Sequence, residues 1–247
     1  MTFTDLQYIF KHSFLHSILK AMTRLASVLL LTLSGWLMHA AAQTVQTPDP
    51  FKKDRQWLQK ANEARTYGTD TSKVVIHEFA DFACPDCKWF FENRLDSLKT
   101  RYLATGKANF VYHTYVIARL MRGYHGAEAA LCAGALGGKP AFEGMMAQLF
   151  RNQDTWRRLA NPMPTFEAWA KALKVPLLSF RDCTARDVMA PLIVSDMRLG
   201  VKADIPGTPA LVLTWHDTFN GDHKTEPDLP FTKLDALIER LNAQRGR

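Results

Sequence analysis

The chain has 247 residues, which is enough for one medium-sized domain or for one domain with a large insertion. Its formal net charge is +7. Three of the 31 basic residues and one of the 24 acidic residues lie in positions 1–42, so the remainder has a net charge of +5. No basic run and no alternation of basic with aromatic residues accompanies this excess, so we expect no nucleic-acid partner.

The first part of the chain has the pattern of an export signal. Arg24 precedes an apolar block over residues 25–38, and three alanines at 40–42 supply small residues for cleavage. A retained membrane anchor is the alternative, but the block is shorter than the roughly 20 apolar residues that a span needs. We therefore expect residues 1–42 to be a cleaved signal peptide and the mature protein to be periplasmic.

Residues 1–21 make the region before the apolar block longer than the N-terminal region of an ordinary signal peptide, whereas Met22-Thr23-Arg24 would be an ordinary start. We hypothesise that translation starts at Met22 and that residues 1–21 are not translated. Continued production of the exported protein after mutation of Met22 would contradict that start.

Residues 43–72 are predicted to form an N-terminal arm, with a short helix over residues 51–65 and no chemistry of its own.

Residues 74–91 join a predicted strand to a predicted helix. The run Val74 to Phe79 is apolar and β-branched, which indicates a short buried strand. It leads into Cys84-Pro85-Asp86-Cys87, where Pro85 fits a first helical turn. The positions that then recur at helical spacing are Cys87, Phe91, Leu95, Leu98 and Tyr102. Cys84 is therefore predicted at the N-terminus of a helix, at the tip of a strand.

This placement favours redox chemistry. The thiolate attacks disulfides, and a helix N-terminus stabilises negative charge, so Cys84 becomes the better nucleophile, with Cys87 near enough to pair with it. A zinc site or two structural cysteines are the alternatives. Zinc requires about four ligands, usually from two paired clusters, whereas Cys132 and Cys183 stand singly. A dithiol/disulfide exchange centre is the preferred interpretation.

Residues 108–117 have the composition of a second strand. His113 lies within it among apolar neighbours and lacks a nearby ligand partner, so we expect a satisfied structural histidine. Residues 119–174 are helical in pattern, and Pro140 marks one of the joints between helices.

The rest of the chain returns to strands. Residues 177–201 are a further helical stretch, with a break or kink expected at Pro191. Thr208-Pro209 precedes a strand and is a candidate cis peptide. A hairpin turn is predicted around Asn220-Gly221, and the last helix is predicted over residues 229–241.

This order of elements resembles the DsbA-like thiol:disulfide oxidoreductases, which have a thioredoxin fold with an inserted helical domain. The resemblance covers about residues 66–243. The residues that carry it are Glu78-Phe79, Asp81-Phe82, Cys84-Pro85-Asp86-Cys87, residues 129–133, Cys183 and Gly207-Thr208-Pro209. The implied fold class is α/β, with residues 73–118 and 188–247 forming the thioredoxin-like domain and residues 119–187 the inserted helical domain.

The resemblance implies a role for each residue of the site. Cys84 would be the exposed attacking cysteine and Cys87 the buried resolving one. Pro209, in a cis peptide, would pack beside the disulfide, and the Thr208 backbone would pair with an extended substrate. Glu78 would be a buried carboxylate that exchanges a proton with Cys87, although a hydrogen-bonded core acid is an equally good interpretation.

A second disulfide is also implied by the resemblance. Four cysteines allow three pairings, and we expect Cys84–Cys87 together with a structural Cys132–Cys183 bond. In the chain-entropy model, a bond that closes the loop between Cys132 and Cys183 stabilises the folded protein by about 4 kcal/mol, less any strain in the bond.

Asp86 is a departure from the family pattern, because many strongly oxidising relatives carry histidine between the two cysteines. A carboxylate near Cys84 disfavours its thiolate and so opposes the effect of the helix dipole. A less stable thiolate stabilises the reduced form less, so we expect a weaker oxidant than a Cys-Pro-His-Cys relative.

The sequence thus predicts an exported enzyme, a protein disulfide oxidoreductase that acts on cysteines of exported proteins, with no cofactor beyond its redox-active disulfide. Its partner would be a membrane protein, either a DsbB-like oxidant or, for a reductase or isomerase, a DsbD-like reductant. Two other classes stay open: a dithiol protein that handles copper or zinc, and a non-catalytic binding module for unfolded chains. We expect a monomer.

Overall fold

The computed structural model describes residue 49 and residues 51–69, 72–117, 122–215, 218–225 and 230–243, with only the backbone described over 218–225. The predicted signal peptide and the start at Met22 lie outside these residues. All elements below belong to the compact unit Phe51–Arg247. Within the described part of the chain, no helix combines the length and the apolar character required to cross a bilayer.

Among the described residues, five strands form one mixed sheet: β1 (Thr66–Tyr67), β2 (Val74–Ala80), β3 (Asn109–Thr114), β4 (Ala210–Trp215) and β5 (Thr218–Thr225). Their order across the sheet is β1-β3-β2-β4-β5. Of the described strand pairs, β2–β3 is parallel and the others are antiparallel. The central strand β2 is buried along its whole length, as its apolar, β-branched sequence predicts.

The helices surround this sheet, and five of them lie between β3 and β4 in the chain. Their bounds are α1 (Lys52–Ala64), α2 (Pro85–Asn93), α3 (Leu95–Leu98), α4 (Arg122–Arg151), α5 (Gln153–Trp156), α6 (Met163–Ala172), α7 (Leu177–Ala185), α8 (Ala190–Lys202) and α9 (Phe231–Ala243). A π-helical turn, Lys99–Leu103, follows α3.

The helical pattern after Cys87 is interrupted in the structure. Arg94, with φ −126° and ψ −39°, separates α2 from α3. Leu95, Leu98 and Tyr102 are nevertheless buried, because the two short helices and the π-helical turn continue along the core. The break predicted at Pro191 lies a few residues earlier, between α7 and α8, and Pro191 itself occupies the first turn of α8.

The long helix α4 consists of two helical pieces that meet at Gly138, whose φ of +70° lies outside the helical region. The predicted joint at Pro140 is thus displaced by two residues, to the glycine that accepts a positive φ without strain. Earlier in α4, a Cβ on Gly134 would lie 3.0 Å from the Cβ of Ala64, so α1 and α4 approach closely there.

The prediction of a hairpin turn at Asn220-Gly221 was wrong. Both residues lie inside β5, which already pairs with β4 from Thr218 onward. The register changes there: Leu213 pairs with His223 and Trp215 with Thr218. One residue of β4 therefore faces residues 219–222 of β5, and the turn-forming dipeptide lies in this irregularity rather than at the end of the hairpin.

A chain of buried polar side chains crosses one face of the sheet. Arg65, directly after α1, donates to Asp196 on α8, with 3.0 Å between Nη2 and Oδ1. Asp196 Oδ1 lies 2.8 Å from His113 Nδ1, and His113 Nε2 lies 2.9 Å from His77 Nδ1. His77 Nε2 lies 2.9 Å from Thr214 Oγ1, which is the last member of this hydrogen-bonded network. His113 is therefore a hydrogen-bonded core residue, as predicted.

The charges of this network follow from its contacts. Burial would raise the pKa of Asp196, but the Arg65 charge and the His113 hydrogen bond outweigh it and hold that pKa at about 2. Burial, together with the charges of His113 and Arg65, lowers the pKa of His77 well below its ordinary value. An ionised Asp196 can only accept, so His113 Nδ1 donates to it.

We expect the Asp196→Asn variant to lose about 3–5 kcal/mol of unfolding free energy, because it leaves the buried Arg65 guanidinium without a counter-charge. Urea unfolding at neutral pH measures the loss. Asp182→Asn, which breaks the exposed ion pair with Lys53, is the matched control and should lose far less. Equal losses in the two variants would contradict a stabilising role for the buried network.

Candidate active site

The loop that follows β2 delivers Cys84 to the start of α2. Cys84 is the N-cap residue, with an extended backbone at φ −83° and ψ 124°, and Pro85 lies in the first turn. The Cys84 N–H donates to the Asp81 carbonyl at 3.0 Å, which closes the turn before the helix. Cys84 therefore stands beside the unpaired N–H groups at the positive end of α2, as the strand–CxxC–helix pattern predicts.

The two cysteines of the motif are both free thiols in this structure, and their surroundings differ. The Cys84 thiol lies 3.3 Å from the Thr208 carbonyl oxygen and keeps 5% of its residue surface exposed. Cys87 has no exposed surface, and its Sγ lies 3.4 Å from the Asp81 backbone N–H. Cys87 is buried, as the resemblance implies, whereas Cys84, expected to be exposed, is also buried in this reduced structure and is only the more accessible of the two.

This difference separates the acidities of the thiols. A hydrogen bond from the Cys87 thiol lowers the pKa of Cys84 to about 6, with help from the Asp86 and Cys87 N–H groups and against the effect of burial. Burial raises the pKa of Cys87 well above its ordinary value, and the neighbouring Cys84 adds to the increase. At neutral pH, the stable reduced state thus has a thiolate at Cys84 and a thiol at Cys87.

The loop before β4 faces the Cys84 sulfur. The Thr208–Pro209 peptide bond is cis, as the sequence suggested, and Pro209 is buried. A Cβ placed on Gly207 would meet nothing within 4 Å, so the surface beside this loop is open.

Gln153 is a residue of the site that sequence reasoning missed. It is buried on α5, and its Nε2 donates to the Phe82 and Cys84 carbonyl oxygens, each at 2.8 Å. Lys88 on α2 makes a second link to this short helix through an ion pair with Asp154 at 3.2 Å. No periodicity or motif marks Gln153 in the sequence, because its partners are backbone atoms about 70 residues away.

Glu78 lies within β2 and is buried, with Oε2 lacking a hydrogen-bond partner among the described residues. Burial raises its pKa to about 8, and the positive charge of Lys99 opposes that rise only in part. Glu78 is therefore mostly protonated at neutral pH, which is the state required of a proton donor. Asp86, in contrast, is exposed in the first turn of α2.

Cys132 on α4 and Cys183 on α7 form a disulfide with a Cα–Cα distance of 6.0 Å, the pairing that the resemblance implies. Glu128, one turn before Cys132, is buried beside it, and its Oε1 accepts from the Met189 N–H at 3.1 Å. Burial raises the pKa of Glu128 to about 7. These three residues form a potential metal-ligand group in the described part of the chain, but their sulfurs are bonded to each other, and the group does not include Cys84 or Cys87.

Comparison with known proteins places this arrangement in a family. The thioredoxin family model matches residues 60–239, which is most of the chain. The chain belongs to the thioredoxin family. A curated protein of Rickettsia prowazekii (strain Madrid E), provisionally named a protein-disulfide oxidoreductase, is 21% identical over 154 residues. This match covers 62% of the present chain and 55% of that relative, so the chain spans about half the length of the curated protein that it matches.

Solved structures place this thioredoxin-family chain beside DsbA proteins in fold. Wolbachia pipientis α-DsbA1 has a TM-score of 0.59 and 19% identity, over 73% of this chain and 91% of that one. Pseudomonas aeruginosa DsbA2 has a TM-score of 0.57 and 22% identity, over 72% of this chain and 93% of that one. Bacillus subtilis BdbD in its oxidised form has a TM-score of 0.58 and 20% identity, over 72% of this chain and 92% of that one. The predicted thioredoxin-like α/β fold with a helical insertion is confirmed, and in fold the chain resembles DsbA proteins. The prediction of a protein disulfide oxidoreductase agrees with the name of the curated relative.

We expect alkylation of the reduced protein by iodoacetamide to modify Cys84 and to reach half its maximal rate near pH 6, because only the thiolate reacts. Mass spectrometry after short reaction times at several pH values measures this rate. In Cys87→Ala, the midpoint should rise, because the thiol that donates to Cys84 is removed. A wild-type midpoint near the ordinary value of 9.0 would contradict this account of the site.

We also expect Glu78 to make stability depend on pH. Its folded-state pKa of about 8 exceeds the ordinary 4.5, so the folded state binds this proton more tightly, and its contribution is lost as pH rises from 4.5 to about 8. The unfolding free energy of Glu78→Gln minus that of wild type, measured with urea, should therefore increase by roughly 3 kcal/mol between pH 4.5 and pH 7.5. The exposed Glu92→Gln is the control, and a Glu78→Gln difference that is constant with pH would refute the assignment.

Proposed function

We propose that this protein is an exported thiol:disulfide oxidoreductase that exchanges disulfides with the cysteines of other exported proteins. The observation that carries the proposal is the unequal pair at the start of α2. Cys84 is partly accessible and acidic, whereas Cys87 is buried and holds its proton. Such a pair presents one sulfur to substrates and keeps the other as the internal partner.

In the oxidising direction, a substrate thiolate attacks the Cys84 sulfur of the Cys84–Cys87 disulfide. The bond between the two cysteines breaks, a mixed disulfide forms at Cys84, and the electron pair leaves on Cys87. A second substrate thiolate then attacks the substrate sulfur of the mixed disulfide and releases the Cys84 thiolate. The substrate dithiol has lost two electrons, and the Cys84–Cys87 pair has gained them.

Glu78 suits the proton transfer in the first step. Cys87 leaves as a thiolate in a site without solvent exposure, where its high pKa makes the charged form unfavourable. Glu78 is protonated in its buried position on β2 and supplies the proton, directly or through a water molecule. In the reverse direction, the Glu78 carboxylate takes the proton back.

The loop around the cis peptide is the proposed substrate groove. The Thr208 backbone lies against the Cys84 sulfur, and the space beside Gly207 is open. An extended peptide that pairs with this backbone would bring its cysteine to Cys84, with main-chain hydrogen bonds giving affinity without strong sequence preference. This mode fits an enzyme that acts on many unfolded chains.

Export and a periplasmic site of action are supported by the signal pattern over residues 1–42 and by the Cys132–Cys183 disulfide, since disulfides persist in oxidising compartments. The proposed redox partner is a membrane protein. A DsbB-like, quinone-linked oxidant would restore the Cys84–Cys87 disulfide in an oxidase, whereas a DsbD-like donor would keep the pair reduced in a reductase or isomerase.

Asp86 bears on the direction of the reaction. It lies exposed in the first turn of α2, where its negative charge competes with the Cys84 thiolate for the helix dipole. A reduced form that is stabilised less has a lower reduction potential. The proposed protein is therefore a weaker oxidant than a relative with histidine at this position.

We expect Asp86→His to make the Cys84–Cys87 pair more oxidising. Equilibration with glutathione buffers, with Cys132 and Cys183 left paired, measures the potential of wild type and variant. A wild-type value near about −120 mV indicates a disulfide donor, and one near about −250 mV indicates a reductase or isomerase that needs an electron supply. Asp154→Asn, outside the motif, is the control, and an unchanged potential in Asp86→His would defeat the argument from Asp86.

Catalysis of disulfide exchange is the direct test of the proposed function. Wild type is expected to accelerate oxidation of a reduced, unfolded two-cysteine protein, or reduction of an oxidised one. Cys84→Ser is expected to abolish that activity, because the attacking sulfur is missing. Cys87→Ser should instead accumulate mixed disulfides at Cys84, since the internal partner is missing. Activity that survives Cys84→Ser would reject the proposal.

A further inference from the structure

Asp81 is a buried charged residue of the loop between β2 and α2, residues 81–84, which we call the catalytic loop. The proposed chemistry assigns no role to Asp81. It retains 1% of its residue surface and precedes Cys84 by three positions. Its Oδ1 accepts from the Ala83 N–H at 2.7 Å, and its Oδ2 accepts from the Ile117 N–H at 2.8 Å. The carboxylate therefore joins the catalytic loop to the segment that follows β3.

The backbone of Asp81 contacts both cysteines. Its carbonyl oxygen accepts from the Cys84 N–H at 3.0 Å, and its N–H lies 3.4 Å from Cys87 Sγ. The side chain is also confined from outside, because a Cβ on Gly123, in the first turn of α4, would lie 2.0 Å from Asp81 Oδ1. Movement of Asp81 would thus be transmitted to the Cys84 backbone and to the Cys87 sulfur.

These contacts require a side chain whose two terminal atoms both accept hydrogen bonds. An ionised aspartate meets that requirement, since each of its oxygens is an acceptor only. Asparagine has the same shape but would turn a donor toward either the Ala83 or the Ile117 N–H. The loop geometry therefore selects a negative charge at this position, and that charge is hydrogen-bonded to the residue directly before Cys84.

Few groups compensate the charge. Burial raises the pKa of Asp81 to about 6, the Ile117 and Ala83 N–H groups oppose that rise, and the charge of Cys84 adds to it. Arg157, in the segment after α5, attracts the carboxylate from outside. The Tyr112 phenol on β3 adds no charge, because burial raises its pKa well above the ordinary value and keeps it neutral.

We propose that Asp81 is a positioning residue whose buried carboxylate shapes the catalytic loop and, through the same charge, destabilises the Cys84 thiolate, which makes the Cys84–Cys87 pair more reducing. This inference rests on the proposed exchange site. When the pair is reduced, the Cys84 thiolate and the Asp81 carboxylate repel each other, so Asp81 holds its proton to higher pH than in the oxidised protein. Reduction of the pair therefore couples to proton uptake at Asp81.

The first test compares Asp81→Asn with wild type in two measurements, the thiolate titration of Cys84 and the equilibrium with glutathione. Removal of the charge should lower the pKa of Cys84 by about 1 and shift the equilibrium about tenfold toward the reduced pair at pH 7.5, which corresponds to about 30 mV. The difference between the two proteins should shrink toward zero near pH 4.5, where both the Asp81 carboxyl and the Cys84 thiol are protonated.

This dependence on pH separates electrostatics from structure. A role in loop geometry alone would change the equilibrium by a similar factor at both pH values, and that result would overturn the proposal. Glu92→Gln is the matched control, because it removes an exposed carboxylate of α2 that lies outside the Cys84–Cys87 motif and should leave the equilibrium unchanged. The thiolate titration needs no substrate, so a chain without exchange activity would still decide the role of Asp81.

A second test uses the wild-type protein and does not depend on the folding of any variant. Carboxyl carbon NMR follows the titration of Asp81 in the oxidised and in the reduced protein. Its midpoint should lie higher in the reduced form, and alkylation of Cys84 with a neutral reagent should bring it back down. Equal midpoints in the oxidised and reduced forms would overturn the proposal.

Discussion

The burial of β2 at the centre of the sheet is the constraint on which the site depends. All seven of its residues are buried, with β3 on one side and β4 on the other, so its position and direction are fixed by both neighbours. The chain leaves this strand at Ala80 and turns at once into α2, which leaves a small part of Cys84 accessible and encloses Cys87 completely. The same burial encloses Glu78 within the strand and Asp81 at its end. The reactivity of the site thus follows from where one strand stops.

Three buried carboxyl groups near this strand show three outcomes of the same desolvation. Asp196 stays ionised because Arg65 and a set of hydrogen bonds compensate it, and its role is to hold the sheet to α8. Glu78 has no comparable partner and keeps its proton, which makes it a proton donor. Asp81 lies between these cases, with two backbone donors but a thiolate as its neighbour. The partners of each group, rather than the depth of its burial, decide its charge and its use.

The helical insertion contributes to the site as well as to the core. Gln153 on α5 binds the carbonyl oxygens of Phe82 and Cys84, and the first turn of α4 confines the Asp81 side chain through Gly123. The Cys132–Cys183 disulfide ties α4, the helix that confines Asp81, to α7 within the insertion.

The sequence by itself determined the strand–CxxC–helix unit and the cis peptide candidate, and it predicted Cys84 as the nucleophile, because these depend on local patterns: a β-branched run, a helical period and prolines at element starts. It misplaced the joint near Gly138 and the turn at Asn220-Gly221, where residues of strong local preference lie next to the feature rather than in it. Only the tertiary structure decided which polar residues are used. Gln153, Asp81 and Asp196 act on partners far away in the chain or on backbone atoms, and the folded surroundings set the charges of the two aspartates, so no spacing rule in the sequence could have assigned these roles.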